Sequence, residues 1–264
     1  MLKNMIETII PKIVKVRREK NCQNPLSFPT ENDDLVNDAV SWWKNDQYAK
    51  VKRFRHVRWL GRTIFKLPYY ETIEGNYFKP SDDIVNIIKE IQKAQIVPYL
   101  NKSSKIFEPG CNVGRNLFSL QEAFDCEVVG LDISEKAIDI AQNKIWKQRS
   151  RYTFYVDNAL TTNFFNNIAD NAFDLVITRW HLIHIPRSSE KAIYVKQLKR
   201  IGKVLVLLEP VKEGCHEVQL YSNGTYTLSW DDWGKEYGLK EFHPDTISLE
   251  GNTKIFFFKN EDSA

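Results

Sequence analysis

Apolar residues along this chain gather into short runs, and each run stops at a polar residue. Ile106-Phe107 leads to Glu108, Glu127-Val128-Val129-Gly130-Leu131 to Asp132, and Tyr152–Val156 to Asp157-Asn158-Ala159. Farther on, Phe173–Thr178 runs into Arg179, and Lys203–Leu208 into Glu209-Pro210. Short apolar runs of this kind read as buried strands. Between them the periodicity changes. Ser134 stands as an N-cap, and Ala137, Ile138 and Ala141 share one helical face. Strands alternating with helices predict an α/β fold with a doubly wound parallel sheet. In such a sheet the ligand lies at the carboxyl ends of the strands.

The most informative stretch is Ile106–Leu117, a strand, a Gly-containing turn and a helix start. Glycines let the backbone turn tightly and approach a ligand, and the amides at the helix start favour negative charge. A nicotinamide site asks for Gly-x-Gly-x-x-Gly, so that a pyrophosphate meets bare backbone. Counting from Gly110, the second glycine position holds Asn112 and the third holds Arg115. The pattern therefore argues against a dinucleotide. One strand–helix–strand passage separates Glu108 from Asp132, compatible with an offset of roughly 20 residues.

Glu108-Pro109-Gly110-Cys111-Asn112-Val113-Gly114 resembles the first motif of the class I S-adenosylmethionine-dependent methyltransferases, with Asn112 in place of the middle glycine. The series of polar strand ends agrees with that resemblance over about residues 80 to 260. It implies a Rossmann-like seven-stranded sheet and S-adenosylmethionine as cofactor. Glu108 would then receive the ammonium of the methionine tail. Gly110, Asn112, Gly114 and Asn116 would line the turn, and Asp132 with Ile133 would meet the ribose and its base. Asp157, Asn158 and Ala159 would reach the adenine, and Thr178 and Tyr77 complete the expected cofactor contacts. The blander reading makes each acid an ordinary strand end; Asp157 could instead cap a short helix near Thr161, and Cys111 is a small filler.

Methyl transfer needs an aligned acceptor, and a hydroxyl acceptor also needs a base. The candidates follow the fourth strand: Arg179, His181 and His184 as catalytic residues, with Trp180 and Glu209 on the substrate side. His181 stands nearer the strand tip and is the better base by position, whereas a histidine at the position of His184 often packs under the cofactor turn in the resembled family. Glu209 is either a substrate-side acid or a solvated strand end. The Leu182-Ile183-His184-Ile185 wording resembles methyltransferases of surface-glycan (polysaccharide) biosynthesis. O-methylation of a sugar, a nucleotide-linked sugar or a phosphorylated metabolite is therefore expected. RNA methylation and a non-catalytic, cofactor-binding role are the alternatives.

Upstream, residues 1–80 are expected to form an N-terminal helical cap that selects the substrate, with the methyltransferase domain over 81–260. A helix is expected from about Asp33 to Tyr48, continuing or breaking before Gly61. Lys44 to Lys66 interleaves bases with aromatics, and Arg53, Arg55, Arg58 and Arg62 are candidates to hold an anionic acceptor. In the simpler reading these bases only snorkel to water. The first twenty residues, interrupted by Pro11, could form a basic amphipathic helix that touches a membrane surface, or one packed on the N-terminal segment or a partner chain. Residues Asn260 to Ala264 read as a polar tail.

Composition narrows the rest. A chain of 264 residues can bury a sizeable core. Its net charge of +3 does not call for DNA. Cys22, Cys111, Cys126 and Cys215 lack metal-type spacing, so no metal is expected and a reducing cytoplasm is the simplest setting. No apolar run reaches membrane-spanning length and no signal-peptide pattern is present. A small acceptor is the expected partner, and a homodimer is left open.

Overall fold

A computed structural model describes residues 50–59, 62–72, 81–211 (less 161–162 and 186–187), short strands at 218–219 and 226–227, and most of 236–260. Two antiparallel strands come first, β1 (Lys50–Trp59) and β2 (Arg62–Thr72). The expected helix over Asp33–Tyr48 lies outside the described residues. Its continuation toward Gly61 does not form, because that stretch is strand. The sequence explains this: Val51, Phe54, Val57, Trp59, Thr63, Ile64 and Phe65 are β-branched or aromatic, and such residues favour a pleated backbone.

The main body alternates helix and strand. α1 (Asp82–Lys93) is followed by β3 (Lys105–Pro109), α2 (Arg115–Phe124), β4 (Glu127–Asp132) and α3 (Glu135–Ile140), which runs on as a π-turn over Ala141–Ile145. Then come β5 (Tyr152–Val156), β6 (Leu175–Arg179), α4 (Ser189–Ile201) and β7 (Val204–Pro210). β8 (Val218–Gln219) pairs with β9 (Tyr226–Thr227), and β10 (Lys240–Phe242) and β11 (Thr253–Lys259) close the fold. Seven strands form one sheet in the order β10-β11-β7-β6-β3-β4-β5. β3 to β7 run parallel, and β11 is antiparallel to β7. This is the doubly wound, seven-stranded arrangement expected from the sequence. Among the described residues no helix is long and apolar enough to cross a membrane.

Local sequence accounts for the layers. Ile84, Ile87, Ile88 and Ile91 follow the 3.6-residue period of α1 and are buried. Each such side chain contributes about 1.5–3 kcal/mol through burial. Ser134 caps α3 by accepting the Ala137 amide at 3.2 Å, and Ala137, Ile138 and Ala141 are buried as one face. β3, β4, β6 and β7 are buried on both sides, because helices cover both faces, whereas β5 at the sheet edge is largely exposed. At the far end, Asn260 is not part of a tail. Its Nδ2 donates to Asn171 Oδ1 at 2.9 Å, the Lys199 carbonyl at 2.8 Å and the Gly202 carbonyl at 2.7 Å. These bonds tie the end of β11 to the end of α4 and to the loop before β6.

Candidate functional site

The neighbours of β3 are β4 and β6, so the strand order reverses at β3, and in such sheets the ligand site lies beyond the carboxyl ends at that point. The turn after β3 lies there. Gly110 and Cys111 both donate backbone amides to the Leu131 carbonyl of β4, at 2.7 and 3.1 Å. Gly110, Asn112 and Gly114 have φ of 68°, 52° and 76°, all left-handed. Glycine adopts that region freely, and Asn tolerates it better than most residues. Asn112 also turns its Oδ1 onto the Val113 amide at 2.7 Å, which explains how it replaces the middle glycine of the motif. At Gly114 a Cβ would lie 2.8 Å from Phe154 Cζ, so the turn sits directly on an aromatic floor. Trp146 belongs to that floor and donates Nε1–H to the Val113 carbonyl at 3.3 Å.

Two buried acids flank the turn. Glu108 Oε1 accepts from Asn116 Nδ2 at 2.6 Å, whereas Oε2 is buried and has no hydrogen-bond partner among the described residues. Burial pushes the Glu108 carboxyl up to about 8, although Asn116 and the Arg179 charge pull the other way. Asp132 grips the turn from β4. Its Oδ2 accepts the Asn112 amide at 2.7 Å and its Oδ1 the Ser134 amide at 2.9 Å. Burial raises its carboxyl to about 6 against those bonds. Two carboxylate oxygens offer about four acceptor positions, so Asp132 retains capacity for a ligand. Ile133 beside it is partly buried. Asp157 is exposed at the end of β5 and accepts the Asn158 amide at 2.7 Å; its own amide donates to the Asp132 carbonyl at 3.0 Å. Asn158 Oδ1 accepts the Leu160 amide at 3.1 Å, and Ala159 packs against the second apolar cluster. Both strand ends therefore open on the same side as Glu108.

The segment after β6 departs most from expectation. Thr178 is fully buried and donates its hydroxyl to Glu209 Oε1 at 3.1 Å, so it faces the protein rather than a cofactor. The same oxygen accepts the amides of His181 and Leu182, each at 3.1 Å. Glu209 is thus neither a solvated strand end nor a residue open to substrate; it is fully buried and fastens the turn beyond β6. Burial lifts its carboxyl to about 7. Arg179, expected at the chemistry, forks instead onto the start of α1. It donates to Asp83 Oδ2 at 2.6 Å, Asp83 Oδ1 at 3.0 Å and Ser81 Oγ at 2.8 Å.

The two histidines also differ from their sequence assignment. His181 lies against the turn after β3: a Cβ on Gly110 would stand 2.1 Å from its Nδ1. Its Nε2 is 2.9 Å from Tyr194 Oη. Burial, helped by the Lys191 charge, holds its ring down at about 4. His184 is partly buried in the short 3₁₀ turn Leu182–His184, and burial holds its ring at about 3. The packing role beside the turn thus falls to His181, because the turn beyond β6 swings its ring back over Gly110. Trp180 is 41% exposed, with its Nε1–H on Thr253 Oγ1 at 3.1 Å.

Tyr77 lies outside the described residues. Arg53, Arg55, Arg58 and Arg62 fall on the β1–β2 hairpin, and their side chains lie outside the described set. Ser81, Asp83 and Tyr194 carry contacts that the sequence did not signal. Ser81 and Asp83 read as helix-start residues, and Tyr194 as one apolar position of α4. Among the described residues no cluster of His, Cys, Asp or Glu could hold a metal ion.

A protein-family profile described as a methyltransferase domain matches residues 106–203, the span from β3 to the end of α4. The chain is 28% identical over 138 residues to phosphoethanolamine N-methyltransferase 1 of Arabidopsis thaliana, covering 52% of this chain and 26% of that one. It is 28% identical over 176 residues to phosphoethanolamine N-methyltransferase 1 of Triticum aestivum, covering 64% of this chain and 33% of that one. The chain therefore spans a third or less of the length of these relatives. Among solved structures, a SAM-dependent methyltransferase from Leishmania major superposes with a TM-score of 0.54 at 12% identity, over 84% of this chain and 82% of that one. Residues 106–203 thus match a methyltransferase domain, and the fold around them is that of the solved methyltransferase.

Proposed function

We propose that this domain moves a methyl group from S-adenosylmethionine to a nitrogen of a small, anionic acceptor, with a phosphorylated amine as the substrate class. The relatives named above support the class, and the pose of His181 carries the choice of atom. A hydroxyl acceptor needs a base within reach of its proton. His181 is turned onto Gly110 and Tyr194 and is held at about 4, which makes it a weak base. An amine entering as its free base brings its own lone pair and needs no such group. The O-methylation of a sugar expected from the sequence gives way in this reading, and so does the link to surface glycans.

The residues of the crevice fit the cofactor. Glu108 has a buried oxygen without a partner, the counterpart an ammonium group requires. Asp132 has acceptor capacity for ribose hydroxyls, and Ile133 with Asp157–Ala159 would border the adenine. The cofactor supplies a methyl carbon on a sulfonium: the acceptor lone pair forms the new N–C bond as the C–S pair returns to sulfur. The protein's share is alignment and exclusion of water. Glu108 and Asp132 fix the two ends, Glu209 and Tyr194 hold His181 over the turn, and the released amine proton passes to solvent.

Transfer of labelled methyl to phosphoethanolamine, to a sugar phosphate and to RNA tests this reading. Labelled phosphoethanolamine is the expected product. Label on the sugar hydroxyl alone would sink the nitrogen assignment. Label on RNA, lost steeply with added salt, would favour the nucleic-acid alternative.

A further inference from the structure

We infer that Trp180 is a specificity-determining wall of the acceptor site, offering its indole face to the methylated ammonium that builds up as methyl groups are added. The inference rests on the nitrogen-acceptor reading above. Trp180 stands immediately after β6, at the carboxyl end of the sheet, and its amide donates to the Leu208 carbonyl of β7 at 2.9 Å. Its φ is 51°. A bulky aromatic rarely adopts that conformation, and such residues persist where their surroundings over-determine them, most often at functional sites. Here both sides are pinned. Glu209 holds the next two amides, and the Thr253 hydroxyl fixes the indole N–H.

A strained backbone that merely buried a tryptophan would gain from the hydrophobic effect. This one leaves 41% of the residue exposed. The strain therefore serves to present the ring. The guanidinium of Arg179 lies 6.0 Å from the ring centroid, at the outer limit of a cation–π contact, and its charge is answered by Asp83. A fixed indole beside a neutralised cation suits an alkylammonium. The ring attracts positive charge without hydrogen-bond donors or acceptors, so it tolerates one, two or three methyl groups alike. A wall of hydrogen-bonding groups would instead reject the fully methylated nitrogen, which has no N–H.

The test compares wild type with Trp180→Leu and Trp180→Tyr. The probes are phosphoethanolamine, its mono- and dimethyl forms and phosphocholine, its trimethyl form. Calorimetry with S-adenosylhomocysteine present should show phosphocholine binding weakened about tenfold in Trp180→Leu and mostly kept in Trp180→Tyr, in line with the strength of a desolvated cation–π contact. The KM of the dimethyl form should rise in parallel, while affinity for S-adenosylhomocysteine stays unchanged in both variants. If Trp180→Leu binds phosphocholine as wild type does while wild type methylates phosphoethanolamine, the wall is overturned and the nitrogen reading stands. If wild type neither binds phosphocholine nor methylates any of the amines, the nitrogen reading fails and the wall with it. If Trp180→Leu also loses S-adenosylhomocysteine, Trp180 is a structural prop and the inference falls.

Discussion

Gly110 and His181 compete for one space: a Cβ on Gly110 would lie 2.1 Å from His181 Nδ1 and 2.7 Å from Cγ. The close approach packs the turn after β3 against the turn after β6.

Gly110→Ala should therefore do two things. A side chain at φ 68° costs about 1–2 kcal/mol by itself. It should also push the imidazole off the turn and weaken S-adenosylmethionine binding. Adding His181→Gly should restore part of both losses. Thermal melts and calorimetric titrations of the two single variants and the double variant give the coupling. Strict additivity would show that the two residues do not share space.

Glu108 sets a pH dependence with a definite sign. Its folded value of about 8 stands above the ordinary 4.5. From about pH 4.5 to 8 the unfolded chain releases this proton while the folded chain keeps it, so stability falls as pH rises through that window. Glu108→Gln should flatten the slope. An ammonium beside Glu108 favours the carboxylate, so cofactor binding at pH 7 should expel a proton, and affinity should fall as pH drops below 8. Calorimetry in buffers of different ionisation enthalpy counts that proton. Wild-type binding without proton release would remove Glu108 from the ammonium.

The Arg179–Asp83 fork should matter more for placement than for stability. Burial raises the Asp83 carboxyl, but the bonds from Arg179 and Ser81 outweigh it and hold it at about 2. Its contribution is complete above about pH 4 and disappears as pH falls through 2. Asp83 is half exposed, so the stabilisation should stay below about 1 kcal/mol. Asp83→Asn should erase the acid-side slope in urea melts. Arg179→Met should instead raise the Glu108 value further, because the guanidinium is one of the groups lowering it. An unchanged Glu108 titration in Arg179→Met would disprove that coupling.

Asn260→Ala should cost about 1–3 kcal/mol, since two backbone carbonyls and the Asn171 amide oxygen lose their donor together. Equilibrium denaturation reads this directly. A loss of a few tenths of a kcal/mol, the size of an ordinary surface change, would mean that water replaces the side chain at all three acceptors.

The sheet could be read from the chain because each parallel strand is a nearly continuous apolar run with a polar residue at its end. The same rule located Glu108, Asp132 and Asp157, since a strand end is a local property of the sequence. The hairpin at Lys50–Thr72 was missed because interleaved bases and aromatics suit a helix face or a strand equally well. Asn260 was missed because a polar residue near a polar stretch carries no sign of the three acceptors it meets.

The sequence by itself determined the fold class, the Gly110–Gly114 turn, and the acids around it. Those follow from burial, from periodicity and from the backbone freedom of a few residues. Only the tertiary structure decided the roles of the polar residues beyond β6. Thr178, Arg179, His181 and Glu209 are all capable of chemistry, and nothing local says which way each points. The deciding partners were Asp83 and Gly110, far away in sequence, and Tyr194 on the helix that follows the turn. The contacts of Asp83 and Gly110 exist only because the strand order reverses at β3, bringing the tips of β3 and β6 together with the start of α1.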